Sequence, residues 1–445
     1  MSSSALLSPK VGAVSVSRVA QKISLSSSSI VEADSESVDS PTEFTLRSTT
    51  SEVMKEGEVK QKGKEVLLVT GAASCLGRHL LLQLQSEHCA AFVREIRLVV
   101  ATSEEKEELE ELIQDGSIPV VFCIKPNPIS ATIKDGTNNE ASIKTTAEEE
   151  EEQCLRGVTT LIHLEEIRDF AMRPDVRRLE EVNVSGLGRW LKAAEGVESV
   201  KGCLLLSSLY VNSSVVWPTV TCPEVAKLPP PEEWPFPHYC RSKVEAERLL
   251  FHSKLRHKMA ARVGSVFGEW DADSVLAEAL RLQRRLGHSL PVIGDKGGVL
   301  QMSYAGNVAW GLAKCLEKMS GELGEMEEAV FLVDDSPKID LYSLFEPLLL
   351  HNDIKEDTHH WRPSIPFWLA YWPYRLLEGC LSLVEESRLP QWLKGLPSSN
   401  LLYLACHHWL FFNYNKARLF LDYKPQFSFE EALRRSADHY ARLDM

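Results

Sequence analysis

Tyr239 and Lys243, in the run His-Tyr-Cys-Arg-Ser-Lys, stand four residues apart. On a helix that spacing puts both side chains on one face, one turn from each other. A free phenol titrates near 10, and a neighbouring ammonium favours its ionised form. Such a pair can take the proton of an alcohol while hydride leaves the carbon. Ser208, 31 residues upstream at the end of Leu-Leu-Leu-Ser-Ser, adds a hydroxyl to hold the substrate oxygen as charge develops on it. Far upstream, Thr70–Gly77 reads Thr-Gly-x-x-Ser-x-x-Gly. Gly71 allows a tight exit from a strand, and Gly77 allows close packing of helix on strand. The helix N-terminus then offers N–H groups to a pyrophosphate. Ser74 stands where the main chain comes nearest to phosphate; its hydroxyl can donate, but its side chain departs from the usual glycine. Order and spacing together point to hydride transfer at an alcohol carbon.

These parts need a scaffold, and the apolar pattern supplies one. Val66–Val69 is a short apolar run ending in Thr70-Gly71, and Leu76–Leu84 continues at helical spacing. Ile96–Ala101, Val120–Ile124, Leu161–His163 and Cys203–Ser207 read as four further strands. Helices are expected over Val176–Ala194 and from Tyr239 to about Ser253. Strands alternating with helices predict an α/β fold, a doubly wound parallel sheet of Rossmann type covered on both faces. Ligands of such sheets lie beyond the carboxyl ends of the strands, where Gly71 and Ser208 both fall. A smaller C-terminal substrate-cap region with aromatic-rich helices is expected over 336–445, after the nucleotide-binding domain of 61–335.

Composition limits the alternatives. A chain of 445 residues with 44% hydrophobic and 25% charged content can bury a large core. Its net charge of −14 excludes a nucleic-acid surface, which needs clustered Lys and Arg. Part of the acidity sits in a polar insertion, 126–155, with the unbroken run Glu148–Glu152. The ten cysteines show no Cys-x-x-Cys pair and no zinc spacing, so they read as reduced intracellular thiols and no metal is expected. Residues 1–60 are Ser-rich and lack a lasting apolar period, the signature of disorder. The absence of acidic residues before Glu32, with Lys10, Arg18 and Lys22, bears a weaker resemblance to a mitochondrial or plastid transit peptide.

The last hundred residues change character. Ile365–Val384 is apolar and aromatic but is interrupted by Pro373, Arg375 and Glu378, and Leu401–Phe412 is too short to span a bilayer. Two arrangements satisfy this pattern: a buried cap over a substrate cleft, or an interfacial membrane anchor.

The chain resembles extended short-chain dehydrogenases/reductases, and within them the 3β-hydroxysteroid dehydrogenase/isomerase family. The resemblance runs from about Lys64 to the C-terminus. It is carried by Thr-Gly-x-x-x-x-x-Gly at 70–77, Glu-Val-Asn-Val-Ser-Gly at 181–186, Ser-Ser at 207–208 and Tyr-x-x-x-Lys-x-x-Ala-Glu at 239–247. Arg262 with Val-Phe-Gly at 266–268, Tyr-Ala-Gly-Asn-Val-Ala-Trp at 304–310 and Asp-Tyr-Lys-Pro at 422–425 extend it. The resemblance implies NAD-dependent oxidation of a 3β-hydroxyl on a sterol or steroid at an endoplasmic-reticulum or other organelle membrane, with dimerisation possible. It assigns catalysis to Tyr239, Lys243 and Ser208, with Asn183 steadying the Lys243 side. Cofactor contacts fall to Thr70, Gly71, Ser74, Leu76 and Gly77 together with Tyr239 and Lys243.

Three departures fall on the cofactor half. The family's Asp at the end of the second strand is matched here by Val100, and its Gly-Asp after the third strand by Ile124-Lys125-Pro126. After the fourth strand, where the family has small residues, this chain has His163-Leu164-Glu165-Glu166. A carboxylate facing pyrophosphate repels it. Loss of the ribose acceptor costs about 1–3 kcal/mol of cofactor affinity and leaves NADP as the less favoured alternative. Two other readings therefore stand beside the dehydrogenase: a reductase or epimerase with another substrate, and a binding or scaffold protein that kept the fold.

Overall fold

A computed structural model of the protein describes residues 64–113, 116–124, 149–224, 226–286, 290–294, 298–350, 364–385 and 388–443. The expectations for residues 1–60 and for most of the acidic insertion lie outside the described residues. Lys62–Met445 forms one compact unit.

Seven parallel strands make the central sheet: β1 Glu65–Thr70, β2 Val93–Val100, β3 Val120–Ile124, β4 Thr160–His163, β5 Gly202–Ser208, β6 His257–Val263 and β7 Met326–Leu332. Their order is β7-β6-β5-β4-β1-β2-β3. Strand order reverses between β1 and β4, the switch point at which doubly wound sheets open a crevice. The expected α/β fold of Rossmann type is the one observed. β6 and β7 were not among the expected strands: HKMAARV and MEEAVFL carry charges and alanines that break the apolar run.

Alternation along the strands divides the core between two faces. Leu67 and Val69 of β1 point to the face covered by α1 (Cys75–Leu84) and later by a helix over Ala305–Gly321. Val66 and Leu68 point to the other face. There they meet Leu187, Trp190 and Leu191 of a helix over Leu187–Gly196, and Ala246 and Leu250 of one over Pro237–His252. In chain order we call these helices α1 (Cys75–Leu84), α2 (Ser103–Leu112), α3 (Leu187–Gly196), α4 (Pro237–His252) and α5 (Ala305–Gly321). Pro237 opens α4, where its missing N–H costs nothing. The helix expected over Val176–Ala194 is helical throughout, but Glu180–Gly186 winds as a π-helix. Asn183 lies in that wide turn.

The C-terminal region supplies α6 (Phe367–Ser382) and α7 (Ser399–Cys406), followed by a strand over Trp409–Phe412 paired with Thr219–Cys222 and Val299–Leu300. Ile365–Val384 is not a buried cap: only Phe367 and Leu381 of α6 are buried, while Trp368, Leu369, Trp372 and Leu376 stand exposed.

Candidate active site

The site forms where β1, β4 and β5 end, around a cavity of about 600 Å³. β5 delivers Ser207 and Ser208 fully buried to its rim. α4 runs beneath the crevice and buries Tyr239, Ser242, Lys243 and Glu247. The four-residue spacing therefore puts Tyr239 and Lys243 on the inner face, as expected.

Hydrogen bonds fix the hydroxyls. Ser208 Oγ accepts from Tyr210 N at 3.2 Å, and Ser208 and Tyr239 line the same cavity. Lys243 Nζ donates to Leu206 O at 2.9 Å, lies 2.5 Å from Glu166 Oε2 and sits 5.9 Å from the Tyr239 ring centroid. Tyr239 Oη donates to the same Glu166 oxygen at 3.2 Å. Glu166 thus bridges the phenol and the ammonium, and Arg168 Nε stands 3.5 Å from its other oxygen.

Burial first, and then the Glu166 carboxylate, hold the Tyr239 phenol well above its ordinary 10, opposite in direction to the push expected from Lys243; the nearby Ser208 hydroxyl and Arg168 act against this.

Asn183 lies beside this group and reaches the Lys243 side through the Ile167 main chain and Ser242. Its Oδ1 accepts from Ile167 N at 2.9 Å; its Nδ2 donates to Ile167 O at 3.1 Å and to Ser242 Oγ at 3.0 Å. It clamps the segment next to Glu166 onto α4, one residue from Lys243. Beside Ser208, Tyr239 and Lys243, Glu247 accepts from Ser207 Oγ at 2.5 Å and from Arg262 at 2.6 and 2.8 Å, and Arg262 also donates to Asn212.

The turn after β1 is built largely from main chain. Gly71 has φ +71°, and a Cβ there would meet Glu165 N at 2.6 Å and Leu164 C at 2.7 Å. A Cβ on Gly77 would fall 2.5 Å from Ala72 O, so no side chain fits between α1 and the strand exit. Ser74 caps α1: its Oγ accepts from Gly77 N at 3.1 Å and donates to Gly71 O at 2.8 Å. Leu76 lines the cavity from the first turn. Thr70 does not face the cavity in this way; its Oγ1 is paired with His163 Nδ1 at 2.8 Å across β1 and β4.

A feature outside the expectations marks the end of β2. At the end of β2, where Val100 offers no carboxylate, Glu105 reaches back and accepts from Ala101 N at 2.7 Å. Thr102 caps α2 and accepts from Glu105 N. Thr-Ser-Glu-Glu at 102–105 is the pattern of a capping box, and that signal predicts a glutamate turned back over the strand end.

With this geometry in hand, known proteins can be compared. The family model described as "3-beta hydroxysteroid dehydrogenase/isomerase family" matches residues 68–363. The chain belongs to that family. A search of curated proteins gives no match. Among solved structures, UDP-glucuronic acid 4-epimerase from Bacillus cereus in complex with NAD is 15% identical, with 85% of this chain and 100% of that one covered at a TM-score of 0.57. The dTDP-glucose 4,6-dehydratase of Streptomyces venezuelae, with NAD and TYD bound, is 17% identical, with 84% and 96% covered at 0.56. At such identities the likeness is one of fold, and it agrees with the family's extended Rossmann-type sheet.

Proposed function

We propose that the chain is an NAD-dependent oxidoreductase interconverting a secondary alcohol and its ketone on a bulky hydrophobic molecule, a 3β-hydroxysteroid or a compound of similar shape. The observation that carries this reading is the convergence of Ser208 and Lys243 on buried Tyr239, at the rim of the cavity that also holds the Gly71 turn.

The residues fit NAD at two of three points. The N-terminus of α1 offers N–H groups for pyrophosphate, and Glu105 offers ribose hydroxyls an acceptor at the end of β2. A carboxylate there repels a 2′-phosphate, which favours NAD over NADP. The two nucleotide-sugar enzymes of like fold hold NAD. At the third point Glu166 holds Lys243, and that carboxylate must swing off the ammonium before ribose hydroxyls can reach it. When bound, the nicotinamide supplies the hydride acceptor or donor. The chain's own residues handle the proton: Tyr239 Oη, protonated in the closed arrangement, gives it to a carbonyl oxygen, and Ser208 Oγ orients that oxygen. Taking a proton from an alcohol requires the phenolate, which Glu166 opposes. Ile167, Phe170, Tyr210 and Val266 give the cavity apolar contacts for the substrate, beside the charged Arg168, Asp169, Asp271 and Asp273.

The Glu166 bridge also favours a second reading, a binding protein with the catalytic fold and weak dinucleotide affinity. NADH titration and turnover on a panel of hydrophobic secondary alcohols and ketones separate the two. The proposed enzyme binds NADH saturably, and Tyr239→Phe lowers kcat by about 10²- to 10⁴-fold with NADH affinity unchanged. No saturable binding at millimolar NADH establishes the binding protein instead. Turnover unaffected by Tyr239→Phe refutes the acid–base role.

The proposal extends to location, an endoplasmic-reticulum or other organelle membrane. No helix among the described residues is long and apolar enough to cross a bilayer. Trp368, Leu369, Trp372 and Leu376 nevertheless form one exposed stripe of α6, with Arg375 beside it. Such a stripe supports attachment in the plane of the interface. Replacing Trp368 and Trp372 with Ser is expected to reduce flotation of the protein with phosphatidylcholine vesicles at least several-fold. Equal flotation of the two proteins would remove α6 from that role.

A further inference from the structure

A second reactive cluster lies away from this cleft. Cys123 on β3 and Cys154 in the short helix 149–155 line an open cavity of about 550 Å³ with Glu95, Arg97, Glu150 and Gln153. Residues 95, 97, 121 and 123 alternate along β2 and β3, so they share the face of the sheet that this helix covers. β3 is the outermost strand of the sheet. Arg97 donates to the carbonyl oxygens of Cys154 at 2.9 Å and Arg156 at 2.8 Å, and so seats the end of the helix against β2. The two cysteine side chains interact across this shared cavity. Both are partly exposed, whereas Cys89, Cys203, Cys240, Cys315 and Cys406 are buried.

The two sulfurs act on each other. The interaction with Cys154, with Arg97 close by, lowers the Cys123 thiol from its ordinary range. The same interaction, together with burial, pushes the Cys154 thiol up. A thiolate with a second thiol in contact is the arrangement of an attacking and a resolving cysteine.

We propose that Cys123 and Cys154 are a reversible redox pair, closed to a disulfide by a small-molecule disulfide of the oxidised-glutathione type. The Cys123 thiolate attacks one glutathione sulfur; a mixed disulfide forms and one glutathione thiolate leaves. Cys154 then loses its proton and attacks the Cys123 sulfur, and the second glutathione leaves as the protein S–S bond forms. The protein gives up two electrons and two protons, and two glutathione thiols carry them. The new bond ties the edge strand to the helix before β4 and covalently closes the chain between them. It does not depend on the oxidoreductase reading, since neither cysteine touches the cleft.

Peptide mapping of the full chain tests the pair. The protein is held at pH 7.5 in glutathione buffers of rising oxidised fraction, alkylated, digested without reduction and weighed. A Cys123–Cys154 peptide lighter by two hydrogens is expected to accumulate with oxidised glutathione and to vanish on adding dithiothreitol. In Cys154→Ser the resolving step is lost, and Cys123 is expected to retain a glutathione adduct. The proposal is overturned if both cysteines remain fully alkylated while exposed Cys380 takes the adduct, or if Cys123 pairs with a different cysteine. If Cys154→Ser does not fold, the unaltered protein's map decides alone.

Discussion

The turn after β1 and the segment after β4 touch at Gly71 and Glu165, yet they are built in opposite ways. The turn relies on backbone: a positive-φ glycine, a glycine pressed against carbonyls, and a helix start. Ser74 fits that shape, because its hydroxyl folds back on Gly71 and Gly77. The segment after β4 relies on charge. One carboxylate, Glu166, lies against both Lys243 and Tyr239 and opposes ionisation of the phenol. A main-chain site tolerates side-chain change; a charged constellation does not.

The contrast can be broken from the side-chain half first. Glu247→Ala leaves the Arg262 guanidinium buried without its main partner and frees Ser207. Loss of about 3–5 kcal/mol of unfolding free energy is expected from urea denaturation, since a buried charge is then uncompensated. A loss below 1 kcal/mol would show that the catalytic half does not hang on this network. On the main-chain half, Ser74→Gly should cost only a few tenths of a kcal/mol, because glycine is itself a tolerated N-cap. The same measurement checks it: a loss above 2 kcal/mol would mean that the turn depends on the Ser74 hydroxyl.

The same contrast explains what could be read from the sequence. Backbone-built features were legible: apolar runs ending in Thr70-Gly71 and in Ser208 located β1 and β5, and a four-residue spacing located Tyr239 and Lys243 on α4. β6 and β7 were not legible, because burial by flanking elements rather than an apolar run makes HKMAARV and MEEAVFL strands. Side-chain convergence was legible only as a conflict. Glu165 and Glu166 stood out as carboxylates where a pyrophosphate should lie, but nothing local links Glu166 to a lysine 77 positions later. Asn183 was noticed for its motif, whereas its role, clamping Ile167 to Ser242, requires the π-helical turn that carries it. Glu105 was overlooked although its capping-box spacing was present.

The central claim is that Glu166 occupies Lys243 and must give it up for the cofactor. NADH fluorescence titrations of the unaltered protein and of Glu166→Gln, at one pH and ionic strength, test it most directly. Removing the charge while keeping the shape should tighten NADH binding by about tenfold or more, the change that corresponds to roughly 1.4 kcal/mol. Identical dissociation constants for the two proteins would contradict the claim.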